Sequence, residues 1–179
     1  MCTPRPAGDS AGARTGDTGN AHLARILRAG VRLREGVEPS VVAAGIDAGR
    51  DVVPTVADHS PDGLVVDLEC LDTVHEYEGV LRDIAAAAGR GNELTTVECA
   101  YDEGDSTCSV RYTFAGATRQ AEPDWFGDYA DGMFLASAAE EFAPLDRQPV
   151  ITLGDALVVL YVPLEAFAWI DEFAQRPTG

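Results

Sequence analysis

The amino-acid sequence predicts an α+β fold, in which a mostly antiparallel sheet of about five strands has its helices packed on one face. Two observations lead to this prediction. From residue 64 onward, the spacing of apolar residues gives the order β, α, β, β, α, β, β, α, so a helix followed by a hairpin occurs twice. The chain also has 179 residues, 46% of them apolar, which is enough for one compact core. We therefore expect residues 21–179 to form a single domain.

The first part of the chain holds a predicted tail and two predicted helices. Residues 1–20 are rich in Pro, Gly, Ser, Thr and Asp and offer little to bury, so we expect a flexible, disordered tail. A helix is predicted over residues 21–29, since Asn20 can cap it. A second helical stretch is expected over residues 41–53, because Pro54 cannot continue it.

The middle of the chain predicts a strand, a helix and a hairpin. The apolar, β-branched run at residues 64–71 is typical of a strand. Thr73 and Glu76 have the spacing of a capping box, and the apolar residues after them recur at helical spacing. Two further strands are predicted over residues 94–101 and 107–114, the second of which alternates cleanly between apolar and polar side chains.

The hairpin between those two strands can turn at Glu103-Gly104 or at Gly104-Asp105. Both turns place Cys99 and Cys108 on the same inward face, and the first sets them directly opposite, where a disulfide is geometrically possible. The chain has four cysteines but no C-x-x-C pair. In a reducing cytoplasm we expect them to be thiols, most of them buried.

The last third of the chain predicts two helices that flank a second hairpin. The first helix is expected over residues 129–142, because Pro144 stops it. Strands follow over residues 150–153 and 156–162, and the second is apolar enough to be the central strand of a sheet. A helix over residues 164–173, which Pro163 can initiate, ends the predicted fold.

The charge of the chain excludes several classes of function. Thirty acidic residues against thirteen arginines give a net charge of −17, with a pI near 4.3. The acidity is uneven: residues 1–35 hold six arginines against three acids, whereas residues 51–179 hold six against 25. Such a body repels nucleic acid and anionic membrane surfaces. We expect a soluble, cytoplasmic protein without a secretory signal, and the sequence leaves its oligomeric state open.

Catalytic and cofactor motifs are absent from the sequence. Its three histidines form no H-E-x-x-H pair, no serine lies in G-x-S-x-G, and no glycine-rich stretch matches a nucleotide-binding loop. We therefore predict a protein that is not an enzyme and that has no catalytic residue, metal site or cofactor. The alternative of a carboxylate-metal hydrolase would use Asp124, Asp128 and Glu141.

Residues 122–135, EPDWFGDYADGMFL, place four aromatic side chains among four carboxylates. One interpretation is a solvated start of the helix that follows, with its apolar residues in the core. The other is a surface that binds a partner, because Trp and Tyr are common interface anchors and a carboxylate rim suits a basic protein. The residues alone leave both interpretations open.

Over residues 73–162 the chain resembles the small acidic immunity proteins that bacteria encode beside polymorphic or contact-dependent toxins. The resemblance lies in TVHEYEGVLRDIAAAAG, a Thr/Tyr-rich hairpin, DWFGDYADGMFLASAAEEF and the strand ALVVLYVP. It does not cover residues 1–63. It implies a protein that inhibits a cognate toxin stoichiometrically, by docking an acidic surface on a basic and often nucleolytic partner.

The resemblance also implies which residues meet that partner. The expected anchors are aromatic, and the expected steering charges are the carboxylates of the same stretch and of the hairpin turn. The set is Trp125, Phe126, Tyr129, Asp124, Asp128, Asp131, Asp102, Glu103 and Asp105. The alternative from a different class is an intracellular binding or scaffold module, in which the acidic surface confers only solubility.

Overall fold

Helices and strands alternate along the chain in the computed structural model, which describes residues 16–103, 107–125 and 129–174. Its helices are α1 (Gly16–Arg28), α2 (Pro39–Asp47), α3 (Val52–His59), α4 (Glu76–Ala87), α5 (Gly132–Glu141) and α6 (Leu164–Ala174), with 3-10 turns at Leu68–Cys70 and Gly91–Glu93. Its strands are β1 (Gly63–Asp67), β2 (Leu94–Asp102), β3 (Thr107–Phe114), β4 (Ala117–Ala121), β5 (Arg147–Leu153) and β6 (Ala156–Pro163). The predicted α+β class is confirmed.

The strands form two antiparallel sheets, with the orders β1-β6-β5 and β2-β3-β4. The prediction of one sheet with about five strands was therefore wrong in detail. Strand β4 was not predicted, because its sequence, ATRQA, is short and mostly exposed. It is joined to β3 by a two-residue turn in which Ala115 and Gly116 both have positive φ, 49° and 79°, so that Phe114 pairs with Ala117.

Strand β6 is the central strand of the first sheet and has helices on both of its faces. One face contributes to a core with α4, α5 and the second sheet, and the other to a core with α1, α2, α3 and α6. The first face consists of Leu157, Val159 and Tyr161, and the second of Val158, Leu160 and Val162. The prediction of helices on one face only is corrected by this arrangement. Burial on both sides explains why the strand is apolar at every position.

The N-terminal helices differ from the prediction at their boundaries. Helix α1 begins earlier than predicted, at Gly16, and the amide of Gly19 donates to Asp47 Oδ1 at 2.9 Å, which ties α1 to α2. The stretch predicted as one helix is divided into α2 and α3, with Gly49 at a φ of 90° between them. Pro54 lies in the first turn of α3, where a missing amide hydrogen costs no hydrogen bond.

A buried carboxylate joins this N-terminal part to the first sheet. Asp62, between α3 and β1, is 5% exposed and accepts hydrogen bonds from Arg32 Nε at 3.1 Å and Arg147 Nη1 at 2.8 Å. Burial alone would raise the pKa of the Asp62 carboxyl, but hydrogen bonds and charge from Arg32 and Arg147 outweigh it, so the pKa lies below its ordinary value. Three separate segments of the chain thus meet at one ion-pair cluster.

The predicted capping box and the strand before it are partly seen. Strand β1 ends at Asp67, whose carboxylate accepts from the amide of Glu69 at 3.0 Å and starts a 3-10 turn in place of the predicted continuation. The carboxylate of Glu76 accepts from the amide of Thr73 at 2.8 Å, which is the glutamate half of the capping box, and α4 begins at Glu76.

The β2–β3 hairpin has the second of the two predicted registers. Tyr101 pairs with Cys108 and Cys99 with Val110, so the two cysteines share a face but lie diagonally. We expect mild oxidation to leave both as thiols, because diagonal Cβ atoms are roughly 6–8 Å apart and a disulfide needs about 4 Å. Mass spectrometry of unreduced peptides measures this, and a Cys99–Cys108 cross-link would contradict it. The matched control is Tyr101→Cys, which places a thiol directly opposite Cys108 and is expected to cross-link.

Candidate functional site

The segment between β4 and α5 is held at its base by a buried tyrosine. Tyr77 of α4 is 0% exposed, and its hydroxyl accepts from the amide of Asp131 at 2.7 Å and donates to the carbonyl of Asp124 at 3.4 Å. The amide of Asp124 in turn donates to Asp131 Oδ2 at 3.2 Å. The two ends of the predicted aromatic and acidic stretch are therefore fastened together.

Asp131 has a structural role that the sequence did not reveal. Its Oδ1 accepts from the amides of Met133 and Phe134, at 2.9 and 3.0 Å, so it is the N-cap of α5. Helix α5 accordingly begins at Gly132, later than predicted. The carboxylate is half-buried and lies where the helix dipole favours negative charge.

The aromatic side chains of the stretch are partly committed to the fold. Trp125 is half-buried and packs edge-on against Tyr77, with ring centroids 5.9 Å apart, and it forms an isolated antiparallel bridge with Ala130. Tyr129 is also half-buried, and its hydroxyl donates to the carbonyl of Gly154 at 3.3 Å. Each of these two side chains is thus partly held by the fold and partly exposed to solvent.

A cleft of about 190 Å³ opens beside Tyr129. Its walls include Asp124, Asp131 and two apolar side chains that stand out from the surface, Met133 at 66% exposure and Leu153 at 43%. Met133 therefore does not lie in the core with the other apolar residues of the helix start, and Leu153, which ends the strand predicted over residues 150–153, lies at the surface. The signal for Leu153 is its position at the end of β5, directly before the Gly154-Asp155 turn.

Gly132 allows Leu153 to lie close to the start of α5. It is buried, and a Cβ atom added there would clash with Leu153 Cδ1 and lie 2.8 Å from Leu68 Cδ1. A side chain at this position would push Leu153 away from the helix. The shape of the cleft therefore depends on this glycine.

The other residues predicted for the site lie on a separate element or outside the described residues. Asp102 and Glu103 are exposed at the end of the β2–β3 hairpin, a separate element, beside Tyr101, which is 42% exposed. Three more predicted site residues, Phe126, Asp128 and Asp105, lie outside the described residues. The structure thus brings together Asp124, Trp125, Tyr129 and Asp131 in one place.

The carboxylates of the alternative hydrolase do not meet in the described part of the chain. Glu141 lies at the far end of α5, about 15 Å along the helix from Asp131, and its carboxylate accepts from Tyr112 Oη at 2.7 Å and pairs with Arg119 Nε at 2.8 Å. Residues 16–103, 107–125 and 129–174 contain no group of three or more His, Cys, Asp or Glu side chains that could hold a metal ion.

The thiols of the second sheet are poor nucleophiles. Burial, with smaller contributions from nearby Cys108 and Glu78, raises the pKa of Cys99 to about 11. Burial also raises the pKa of Cys108. Both side chains are therefore protonated at neutral pH, and the thiolate that would attack a substrate is scarce.

In the described portion of the chain, none of the helices combines the length and the hydrophobicity that a membrane span requires. Compared with protein-family models, with curated proteins and with solved structures, the chain matches none.

Proposed function

We propose that this protein is a non-enzymatic inhibitor of the immunity-protein type, which binds a basic bacterial toxin through the cleft beside α5. We call the surface formed by Asp124, Tyr129, Met133 and Leu153 the cleft face. The observation that carries the proposal is the exposure of Met133 and Leu153, 66% and 43%, directly beside carboxylates. An apolar centre with a charged rim is the usual anatomy of a specific protein interface.

The charge of the chain supports a basic partner. Asp124 is an exposed member of the cleft face, Asp155 is exposed in the turn that follows Leu153, and the whole chain carries a net charge of −17. A field of this sign accelerates the encounter with a positively charged protein and repels acidic ones. The exposed hairpin end, with Tyr101, Asp102 and Glu103, offers a second contact of the same composition.

The proposed anchors of the interface differ from those predicted from the sequence, because the cleft adds two apolar side chains. Met133 and Leu153 join Tyr129 at the centre of the interface, whereas Trp125 supports it from below through Tyr77. Asp124 belongs to the rim, and Asp131 contributes charge while capping α5. Phe126, Asp128 and Asp105 stay as predicted contacts outside the described residues.

The test uses the protein encoded beside this one as the candidate toxin. We expect the two to form a one-to-one complex and the toxin to lose activity in it. Met133→Arg is expected to weaken the complex about 30-fold or more, because a cation replaces a central apolar contact. Isothermal titration calorimetry measures the affinity, and toxin activity is assayed in parallel.

The matched control is Leu145→Arg, which makes the same chemical change at a fully exposed leucine outside the cleft. Equal affinities for the two variants would remove the cleft face from the interface. Binding without loss of toxin activity, or copurification with several unrelated proteins, would instead favour a scaffold module. An association rate that does not fall with added salt would contradict electrostatic steering.

A further inference from the structure

A second cleft lined by carboxylates lies away from the cleft face, along strand β5 between α5 and α6. This β5 groove has a volume of about 500 Å³. It is lined by Pro149 and Ile151 from β5, by Glu140 from α5, and by Phe167 and Asp171 from α6. It lies at the C-terminal end of α5, whereas the cleft face lies at the N-terminal end.

The topology of the first sheet explains why the groove exists. Strand β5 is an edge strand in the order β1-β6-β5. Helix α5 packs in the core on one face of this sheet, and α6 packs in the core on the other. The edge of the sheet is therefore flanked by two helices that belong to opposite layers, and side chains of both helices line the groove.

The charges of the groove select its ligand. Among the described residues, the side chains of Glu140 and Asp171 have no hydrogen-bond or ion-pair partner. The residues that line the groove include no cationic side chain. Glu141, the neighbour of Glu140, is by contrast paired with Arg119 and Tyr112. The two groove carboxylates are thus available to a cation that comes from outside.

We propose that the β5 groove binds an arginine-bearing segment of a protein, with an apolar residue next to the arginine. The guanidinium lies between Glu140 and Asp171, and the apolar neighbour covers Ile151 and Phe167. Arginine fits better than lysine, because its planar fork donates to carboxylates on two sides and stacks on an aromatic ring. This inference does not rest on the proposed function, since neither carboxylate belongs to the cleft face.

The test is a fluorescence polarisation titration of the full chain with a dye-labelled peptide in which three arginines alternate with leucines. We expect binding that weakens about tenfold when Glu140→Gln and Asp171→Asn are combined, because two exposed ion pairs are lost. The matched control combines Glu98→Gln with Asp83→Asn, which removes the same charge from exposed sites elsewhere and is expected to change the affinity less than about twofold. A peptide with lysine in place of arginine is expected to bind more weakly.

Several results would overturn the inference. An equal loss in the groove and control variants would show that the peptide responds to net charge alone. An unchanged affinity after Phe167→Ala would remove the apolar contact. A wild-type dimer that the groove substitutions dissociate would assign the groove to a second copy of the chain. Tighter peptide binding by a chain that ends at Ala174 would assign it to residues 175–179.

Discussion

Replacing Tyr77 with alanine is expected to lower the free energy of unfolding by about 3–5 kcal/mol, as for other large aromatic residues removed from a core. The side chain is 0% exposed and packs edge-on against both Trp125 and Phe134, with centroid distances of 5.9 and 5.5 Å. The substitution creates a cavity and also removes the hydroxyl that accepts a hydrogen bond from the amide of Asp131. Denaturant unfolding followed by tryptophan fluorescence measures the loss.

Tyr77→Phe separates the hydroxyl from the ring. We expect it to cost about 1–2 kcal/mol, because the Asp131 amide loses its acceptor while the packing is kept. Hydrogen exchange at the amide of Asp131 should accelerate. The matched control is Tyr161→Phe, another buried tyrosine, whose hydroxyl donates to the carbonyl of Ala139 at 2.9 Å. An Asp131 amide that stays as protected in Tyr77→Phe as in Tyr161→Phe would show that Tyr77 does not fasten the site.

The elements that could be predicted are those whose apolar or capping pattern lies entirely within the element itself. Strand β6 is apolar at consecutive positions because both of its faces are covered, and helix α4 starts at the glutamate of its capping box. The inward alternation of β3, with Cys108, Val110 and Tyr112 buried, also follows from a two-residue period. Such signals need no information from distant parts of the chain.

The division into two sheets depends on contacts that no local pattern contains. Strand β4 has little to bury, and it is a strand because the turn at Ala115–Gly116 returns the chain along β3. The covering of both faces of the first sheet likewise depends on α1, α2, α3 and α6, whose apolar sides have no partner specified in the sequence. Helix position relative to a sheet is a tertiary property, and periodicity alone does not determine it.

The structure brings aromatic and acidic side chains of residues 122–135 close together, but the part that each one plays could not be predicted from the sequence. Asp131 caps α5, which starts at Gly132, and Met133 is exposed. The amide of Asp131 is held by the hydroxyl of Tyr77, which lies 54 residues earlier than Asp131. The packing of α5 against α4 and the first sheet determines which side of the helix faces the core, so Leu135 is buried while Met133 points outward. Leu153 joins the cleft only through the packing of β5 against α5.

Replacing Asp62 with alanine is expected to lower the free energy of unfolding by about 3 kcal/mol at neutral pH, because it leaves Arg147 without its charged partner. The side chain of Asp62 is 7% exposed and that of Arg147 is 21% exposed, whereas Arg32 is 64% exposed. Arg32→Ala should cost about 1 kcal/mol or less, since Asp62 keeps Arg147 as its partner and an ion pair to an exposed arginine contributes little. Urea denaturation at pH 7 checks this order, and an equal loss in both variants would contradict it.

The pH dependence of the Asp62 cluster has a defined sign. The pKa of Asp62 is below its ordinary value, so the folded state releases the proton more readily than the unfolded chain. Its stabilisation is complete above the ordinary carboxyl pKa, near pH 4, and is lost as the pH falls below that. We therefore expect the stability difference between wild type and Asp62→Asn to be largest at neutral pH and to shrink toward pH 3, because a protonated aspartate resembles asparagine. Asp83→Asn, at an exposed residue of α4, is the matched control and should shift stability by less than about 0.5 kcal/mol at every pH. A difference for Asp62→Asn that is constant from pH 7 to pH 3 would mean that the hydrogen bonds of Asp62, and not its charge, join the N-terminal helices to the first sheet.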